Sequence, residues 1–129
     1  MLARLEMPEP KTGEEIELPL EKLSTKKGTS AVYQLRFPKI GRYELVFRMS
    51  STLGELAQLP ISVFLNNTLQ QTVTLNGTEG QTMERVVTLP IRQDGEKYMK
   101  LYFGESGIDM HRMFLRYVGK NDIESIRNE

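Results

Sequence analysis

The side chains that could do chemistry in this 129-residue chain are few and scattered. His111 is the single histidine and cysteine is absent, so there is no second histidine for a metal cluster and no thiol nucleophile. Glu15 and Glu17 alternate along one strand and could pair for acid–base work, with Glu105 and Asp109 as further carboxylates. We expect the glutamates to form a solvated face and His111 to lie in a strand-entry loop. The sequence therefore predicts a protein that is not an enzyme.

A second group of residues suits ligand stacking. Tyr98 and Tyr102 flank Lys100 on one predicted strand, and Phe64 lies on the outward side of another strand. Alternate residues of a strand share a face, so these rings can form a flat aromatic surface. Such a surface stacks on the apolar C–H face of a sugar ring, with polar groups at its rim. The alternative is that the rings belong to the core or cover a sheet edge, and their solvent exposure discriminates between the two interpretations.

The elements that must position these residues are short alternating strands. In the segment 43–49, Tyr43, Leu45, Phe47 and Met49 share one face. Turn residues recur between such segments about every 8–12 residues, which is typical of a two-sheet sandwich. The pair Asn66-Asn67 predicts a tight hairpin turn. We predict an all-β, antiparallel β-sandwich of jelly-roll type, with strands at 3–7, 15–18, 32–37, 43–49, 61–65, 69–75, 83–89, 97–103 and 112–118.

Length and composition predict one domain at 1–119 and a polar C-terminal tail or linker at 120–129. A chain of this size can bury a core without disulfides or metal. Seventeen basic and seventeen acidic side chains cancel and are interspersed, so we expect neither nucleic acid nor a membrane surface as a partner. The first residues lack the apolar stretch of a signal peptide. The polar tail favours a domain of a larger polypeptide, and other domains of that polypeptide are then expected partners.

Several passages resemble a known family. The stretch from Phe37 through Pro38, Gly41 and Tyr43 to Arg48 resembles a passage of carbohydrate-binding modules with a galactose-binding-like jelly roll, those related to families 6 and 35. The hairpin at 63–69, the strand opening at 80–83, the passage 94–101 and the segment 107–113 follow in the same order. Together these pieces cover most of the chain from residue 32 to residue 118.

The resemblance implies a module that binds a poly- or oligosaccharide beside a glycoside hydrolase, in the loops at one edge or on a sheet face. Met83 stands where the family often has a sugar-stacking Trp, and Asp109 where it often has a ligand-binding Asn. Ser30 and Glu105 lie near that loop-edge site by resemblance. His111 replaces an acidic residue that commonly helps to hold a structural calcium ion, and imidazole is a poor ligand for calcium. We therefore expect no cofactor, and a structural calcium ion is the less favoured alternative.

These considerations give three function classes. The favoured one is a non-catalytic carbohydrate-binding module, an accessory domain of a bacterial glycan-degrading enzyme, with Asp109, Tyr98, Tyr102, Met83, Phe64 and Glu105 as ligand-binding candidates. Such a role favours a secreted or cell-surface location. The second class is a structural or protein-interaction sandwich that has lost sugar binding and serves as a spacer. The third is an enzyme with paired carboxylates converging in a cleft.

Overall fold

The computed structural model describes residues 1–120, which form a sandwich of two β-sheets. These residues form strands and connecting turns only, and among them no helix is long and apolar enough to cross a membrane. The predicted tail at 120–129 lies outside the described residues except for Lys120. The strands are β1 (Leu2–Glu6), β2 (Glu15–Glu17), β3 (Ser30–Phe37), β4 (Gly41–Ser50), β5 (Gln58–Leu65), β6 (Thr68–Asn76), β7 (Met83–Ile91), β8 (Gly95–Phe103) and β9 (Asp109–Gly119).

The two sheets contain five and four strands, in the orders β1-β3-β8-β5-β6 and β2-β9-β4-β7. Each strand overlaps one predicted segment, so the predicted β-sandwich is confirmed. All neighbouring strands are antiparallel except β1 and β3, which run parallel. The reason is the route of the chain: after β1 it crosses to the edge of the other sheet as β2, and then returns beside β1 in the same direction. The connection between β1 and β2 therefore joins the edges of two different sheets.

The core lies between the sheets and follows the strand alternation. Tyr43, Leu45, Phe47 and Met49 on β4 are fully buried, as predicted. The Tyr43 ring contacts Phe37 edge-on with centroids 5.0 Å apart, and contacts Tyr117 in the same way at 4.9 Å. Edge-to-face packing is the favoured geometry for such pairs. The sequence contains no cysteine, so no disulfide links the two sheets.

The Pro-Lys-Ile-Gly turn before β4 is held by two core tyrosines. The Tyr43 hydroxyl donates a hydrogen bond to the Lys39 carbonyl at 2.9 Å, and the Tyr117 hydroxyl donates to the Ile40 carbonyl at 3.0 Å. Gly41 has a φ of 147°, and a Cβ there would lie 2.5 Å from the Tyr117 ring. Only glycine fits this position. The motif that carried the family resemblance is thus a structural element of the sandwich.

The Asn66-Asn67 hairpin is confirmed and also fixes the neighbouring strand β8. Both asparagines have positive φ, 48° and 67°, as a tight turn between β5 and β6 requires. The Asn66 side-chain oxygen accepts a hydrogen bond from the Tyr98 amide at 2.9 Å. The Asn66 amide in turn donates to the Tyr98 carbonyl at 2.8 Å. The hairpin therefore holds the backbone at one of the predicted binding residues.

Candidate ligand-binding surfaces

The outer surface of the five-stranded sheet carries the predicted aromatic residues. We call it the tyrosine face and define it by Tyr98, Lys100 and Tyr102 on β8 together with Phe64 on β5. Tyr98 is 48% exposed and Tyr102 is 41% exposed. Phe64 is half-buried and points outward like them. Both tyrosines therefore lie outside the core of this domain.

Cross-strand neighbours give the tyrosine face its shape. Tyr98 lies beside Gln34 of β3, and Tyr102 lies between Ser30 of β3 and Ser62 of β5. The two tyrosines are four residues apart on a strand, which corresponds to about 13 Å. Lys100 lies between them, and its Nζ is 4.6 Å from the centroid of the Phe64 ring. The lysine thus leans toward β5, on one side of the line that joins the two rings.

A shallow polar groove of about 180 Å³ adjoins the tyrosine face near Tyr98. Its lining includes Arg4, Gln34 and Arg36. Arg36 is bound to two acidic residues of the same groove, with nitrogen–oxygen distances of 3.4 Å to Glu6 and 3.6 Å to Glu96. The sequence does not predict this groove, because the groove depends on the parallel pairing of β1 with β3. Its donors and acceptors lie at the rim of an exposed aromatic ring, the arrangement that a sugar site needs.

The four loop-edge candidates all lie at one end of the sandwich but do not form one cluster. Asp109 pairs with Ser50 of β4, whereas Met83 lies on β7 at the opposite side of that strand. Two strand spacings separate them, about 10 Å. Ser30 belongs to the other sheet, and Glu105 lies in the β8–β9 connection, with its carboxylate 3.6 Å from the Lys27 ammonium. Met83, 37% exposed, is the apolar member of this set.

Three predicted positions need correction. Asp109 opens β9 and His111 lies within it, so neither lies in the loop before this strand. A register shift after Arg48 lets β4 and β9 continue pairing as far as Ser50 and Asp109. The His111 Nε2 lies 2.6 Å from the Ser50 hydroxyl oxygen. Ser30, predicted to be in a loop, likewise opens β3 and pairs with Tyr102. Alternation carries no signal at such strand ends, which is why the boundaries were misplaced.

Met83 lines a second groove, of about 290 Å³, between the connections before β5 and before β7. The two connections are bound together: the Thr78 hydroxyl donates to the Ser51 carbonyl at 3.0 Å and accepts from the Ser51 amide at 2.9 Å. A Cβ on Gly77 would lie 2.0 Å from the Gly54 carbonyl oxygen, so the close approach requires glycine. From the sequence, this region is only the connection between the strands predicted at 69–75 and 83–89. The other lining residues are Glu55, Asn76, Thr78, Glu79, Gln81 and Arg85.

Glu15, Glu17 and Glu105, three of the four acidic residues considered for catalysis, form ion pairs. Arg112 binds Glu15 at 2.8 Å and also binds Glu17, both from the edge strand β2. The hydrogen bonds that the Arg112 guanidinium donates to Glu17 and, with a smaller effect, to Glu15 raise the pKa of Arg112. Within residues 1–120, no group of three or more His, Asp or Glu side chains is placed to hold a metal ion.

Solved structures share this architecture. A family 35 carbohydrate-binding module from Clostridium thermocellum matches 78% of this chain and 86% of its own, with a TM-score of 0.60 and 13% identity. A family 6 module from a Cellvibrio mixtus lichenase, solved with cellotriose, matches 73% and 74%, with a TM-score of 0.56 and 16% identity. The chain thus has the galactose-binding-like jelly-roll fold of carbohydrate-binding modules, as the resemblance predicted.

Glycoside-cleaving enzymes contain similar segments. A β-glucosidase of Ruminococcus albus is 26% identical over 104 residues, which is 81% of this chain. A β-glucosidase structure from Paenibacillus barengoltzii covers 88% of this chain with a TM-score of 0.60 and 16% identity. In both cases the match spans only 11% of the enzyme's length. No protein-family model matches the sequence.

Proposed function

We propose that this chain is a non-catalytic carbohydrate-binding module, an accessory domain of a glycan-degrading enzyme, which binds a poly- or oligosaccharide on its tyrosine face. The observation that carries the proposal is the exposure of Tyr98 and Tyr102, at 48% and 41%, on the central strand of the five-stranded sheet. Neither ring is needed to close the core. A flat pair of rings with a polar groove beside it is suited to sugar stacking.

The binding mechanism uses two kinds of contact. Sugar rings stack on Tyr98 and Tyr102 through their apolar C–H faces, and the 13 Å between the tyrosines, about four strand residues, suits a chain of several sugars. Gln34 and Arg4 in the adjoining groove, and Ser62 beside Tyr102, supply hydrogen bonds to hydroxyl groups. An open surface with two stacking rings gives modest affinity, because association entropy offsets much of the contact energy.

Two comparisons support the accessory role. The fold is that of modules known from carbohydrate-active enzymes, one of which was solved with cellotriose. The related segment of the Ruminococcus albus β-glucosidase makes up about a tenth of that enzyme. A short segment of this fold within a much longer enzyme fits a domain that holds the polysaccharide while another domain cleaves it.

The loop edge is the alternative placement of the site. Asp109 is exposed and Met83 is half-exposed over its groove, so both can reach a ligand. The aromatic stacking partner expected in this fold is replaced there by Met83. We therefore place the principal site on the tyrosine face and treat the loop edge as an outcome of the test.

The test is affinity electrophoresis and calorimetry of the 129-residue chain against plant and microbial polysaccharides, with and without a calcium chelator. We expect Tyr98→Ala and Tyr102→Ala each to weaken binding about fivefold or more, since a lost stacking contact is worth on the order of 1 kcal/mol. Leu56→Ala is the matched control, because Leu56 is 93% exposed and lies in the connection before β5. It should leave binding unchanged.

The outcomes separate the hypotheses. Loss of binding with Asp109→Ala or Met83→Ala, and not with the tyrosine variants, would move the site to the loop edge. Retention of binding in all four variants would reject both placements. No binding to any glycan would reject the sugar-binding proposal and favour the spacer domain. A requirement for calcium would contradict our expectation that no cofactor is involved.

A further inference from the structure

The edge of the five-stranded sheet at β6 differs from the other strand edges of the sandwich. The two open sheets end at β1, β6, β2 and β7. An edge strand presents backbone N–H and C=O groups that can pair with another strand, and proteins usually protect such edges with charges, prolines or short length. The protection of each edge can be read from its residues.

Three of these edges are protected. β1 and β2 contain only five and three residues, and they carry Arg4, Glu6, Glu15 and Glu17. β7 contains Pro90, which has no amide hydrogen, and two charged residues near its start. A strand added to any of these edges would meet a charge or a missing donor, or would find too few partners.

Most of β6 lacks the features that protect the other edges. Its nine residues, Thr68–Asn76, include no charge, no proline and no glycine. A register shift opposite Val63 and Phe64 leaves Gln70 as a bulge near the start of the strand. From Gln71 to Asn76 the pairing with β5 is regular. This six-residue stretch is an unprotected edge.

The hydrogen bonds around β5 show which β6 groups face the open edge. The Pro60 carbonyl accepts a hydrogen bond from the Gly104 amide at 3.0 Å, on the β8 side, so the Pro60 backbone points away from β6. In an antiparallel pair, directly opposed residues both point toward each other or both point away. Thr74 is opposite Pro60. Its N–H and C=O therefore point away from β5, to the open edge.

The same alternation extends along the strand. The Gly77 amide donates to the Ala57 carbonyl at 3.1 Å, toward the β5 side, as the odd-numbered residues should. Thr72 and Asn76 must then point to the open edge like Thr74. All three residues are exposed, and β6 pairs with no strand other than β5 in the described part of the chain.

We infer that β6 is a self-association edge, and that its occupant is β6 of a second copy of this chain. Antiparallel pairing about a two-fold axis at Thr74 places Thr74 opposite itself and Thr72 opposite Asn76. The backbone N–H and C=O groups of all these residues point to the open edge, so each opposed pair exchanges both of its backbone hydrogen bonds. On the inner side, Val73 and Leu75 face each other across the axis and extend the core.

Charge and symmetry favour a second copy over another strand. Because β6 is neutral, self-pairing brings no like charges together, and a charged partner strand finds no complement there. Threonine pairs opposite each other stabilise antiparallel strands. The contact is isologous, so it closes after two copies and leaves no further edge of this type exposed. This inference is independent of the proposed sugar binding.

The test is a sedimentation-equilibrium series on the 129-residue chain with two variants. Thr74→Pro removes an N–H that points only to the open edge, so it leaves every bond of the native ladder intact. Thr74→Lys places two like charges opposite each other at the axis. Thr68→Lys is the control, since Thr68 lies beyond the bulge. We expect a concentration-dependent dimer whose dissociation constant rises on the order of tenfold or more in both Thr74 variants and not in the control.

Amide hydrogen exchange gives a second readout at the residue level. The amides of Thr72, Thr74 and Asn76 should exchange quickly in dilute protein and slowly at high concentration. Those of Val73 and Leu75 should be protected under both conditions, because they point to β5. A chain that stays monomeric at all soluble concentrations, or a dimer that persists in both Thr74 variants, would overturn the inference. The tyrosine variants should leave the dimer unchanged.

Discussion

The two sheets differ in the solvent exposure of the aromatic residues at the centre of their outer faces. On the four-stranded sheet, Phe114 points outward and yet is fully buried. Two guanidinium groups cover its ring: the Cζ of Arg112 is 4.1 Å from the centroid and that of Arg48 is 5.8 Å from it. On the tyrosine face, Tyr98 and Tyr102 remain 48% and 41% exposed. One face is closed over its aromatic ring and the other is open.

The charges next to the central aromatic residues differ in the same way. Arg48 binds Glu84 at 3.1 Å and Arg116 binds Glu44 at 2.9 Å, while Arg112 is held by two glutamates. Within residues 1–120, by contrast, Lys100 on the tyrosine face forms a ring contact and no ion pair. A ligand on the closed face would have to displace paired charges and their hydrogen bonds. A ligand on the tyrosine face meets the exposed rings of Tyr98 and Tyr102, which is why we propose the site there.

The largest effect that separates the faces should come from Phe114→Ala. We expect the free energy of unfolding to fall by about 3–5 kcal/mol, because the substitution removes a buried aromatic ring and leaves a cavity. Urea denaturation measures this loss. Phe64→Ala on the tyrosine face is the matched control and should cost clearly less, since Phe64 is only half-buried. Equal losses would contradict the difference between the faces.

A second, smaller effect should follow from Arg112→Met. The change retains apolar cover over Phe114 but removes the partner of Glu15 and Glu17. We expect the short edge strand β2 to loosen while the sandwich stays folded. Amide exchange at Ile16 should accelerate, and the wild-type protection of this amide should weaken with added salt, which screens exposed ion pairs. If Ile16 exchange is unchanged, the contacts of Arg112 with Glu15 and Glu17 do not hold β2 in place.

The sequence predicted the elements of this fold well and the covering of its faces poorly. Alternation in β4 identified Tyr43 and Phe47 as core residues, because burial between two sheets leaves a period of two in the sequence. The same pattern places Phe114 on the solvent side. Its burial depends on Arg112 and on glutamates from β2 that are almost a hundred residues away along the chain. Such a covering leaves no local periodicity to recognise.

The candidate site shows the same limit. Tyr98 and Tyr102 were identifiable because their even spacing lies within one strand. Their polar neighbours Arg4 and Gln34 were not, since these meet only through the parallel pairing of β1 with β3. At the loop edge, Asp109 was assigned to a loop because its pairing with β4 follows a register shift. Local spacing predicts residues within a strand, whereas non-local pairing decides what surrounds them.

Lys100→Ala tests whether the lysine stabilises the tyrosine face through its contact with the Phe64 ring. The lysine Nζ lies over the Phe64 ring at 4.6 Å, and such contacts at accessible sites are worth about 0.5–1 kcal/mol. We expect a loss of stability of that size and greater exposure of Phe64, measured by urea denaturation and by binding of a hydrophobic dye. Lys100→Arg is the matched control and should retain most of the contact. A stabilised alanine variant would show that the lysine does not cover the ring.

The smallest effect should be the most informative about function. Tyr98→Ala and Tyr102→Ala should each change the free energy of unfolding by no more than about 0.5 kcal/mol, as for exposed positions outside the core. The hydrogen bonds at Tyr98 involve its backbone, which alanine retains. A ring that contributes little to stability but is needed for glycan binding is retained for its ligand. A loss of 2 kcal/mol or more, roughly that of a buried side chain, would instead make the tyrosines structural and remove the difference between the two faces.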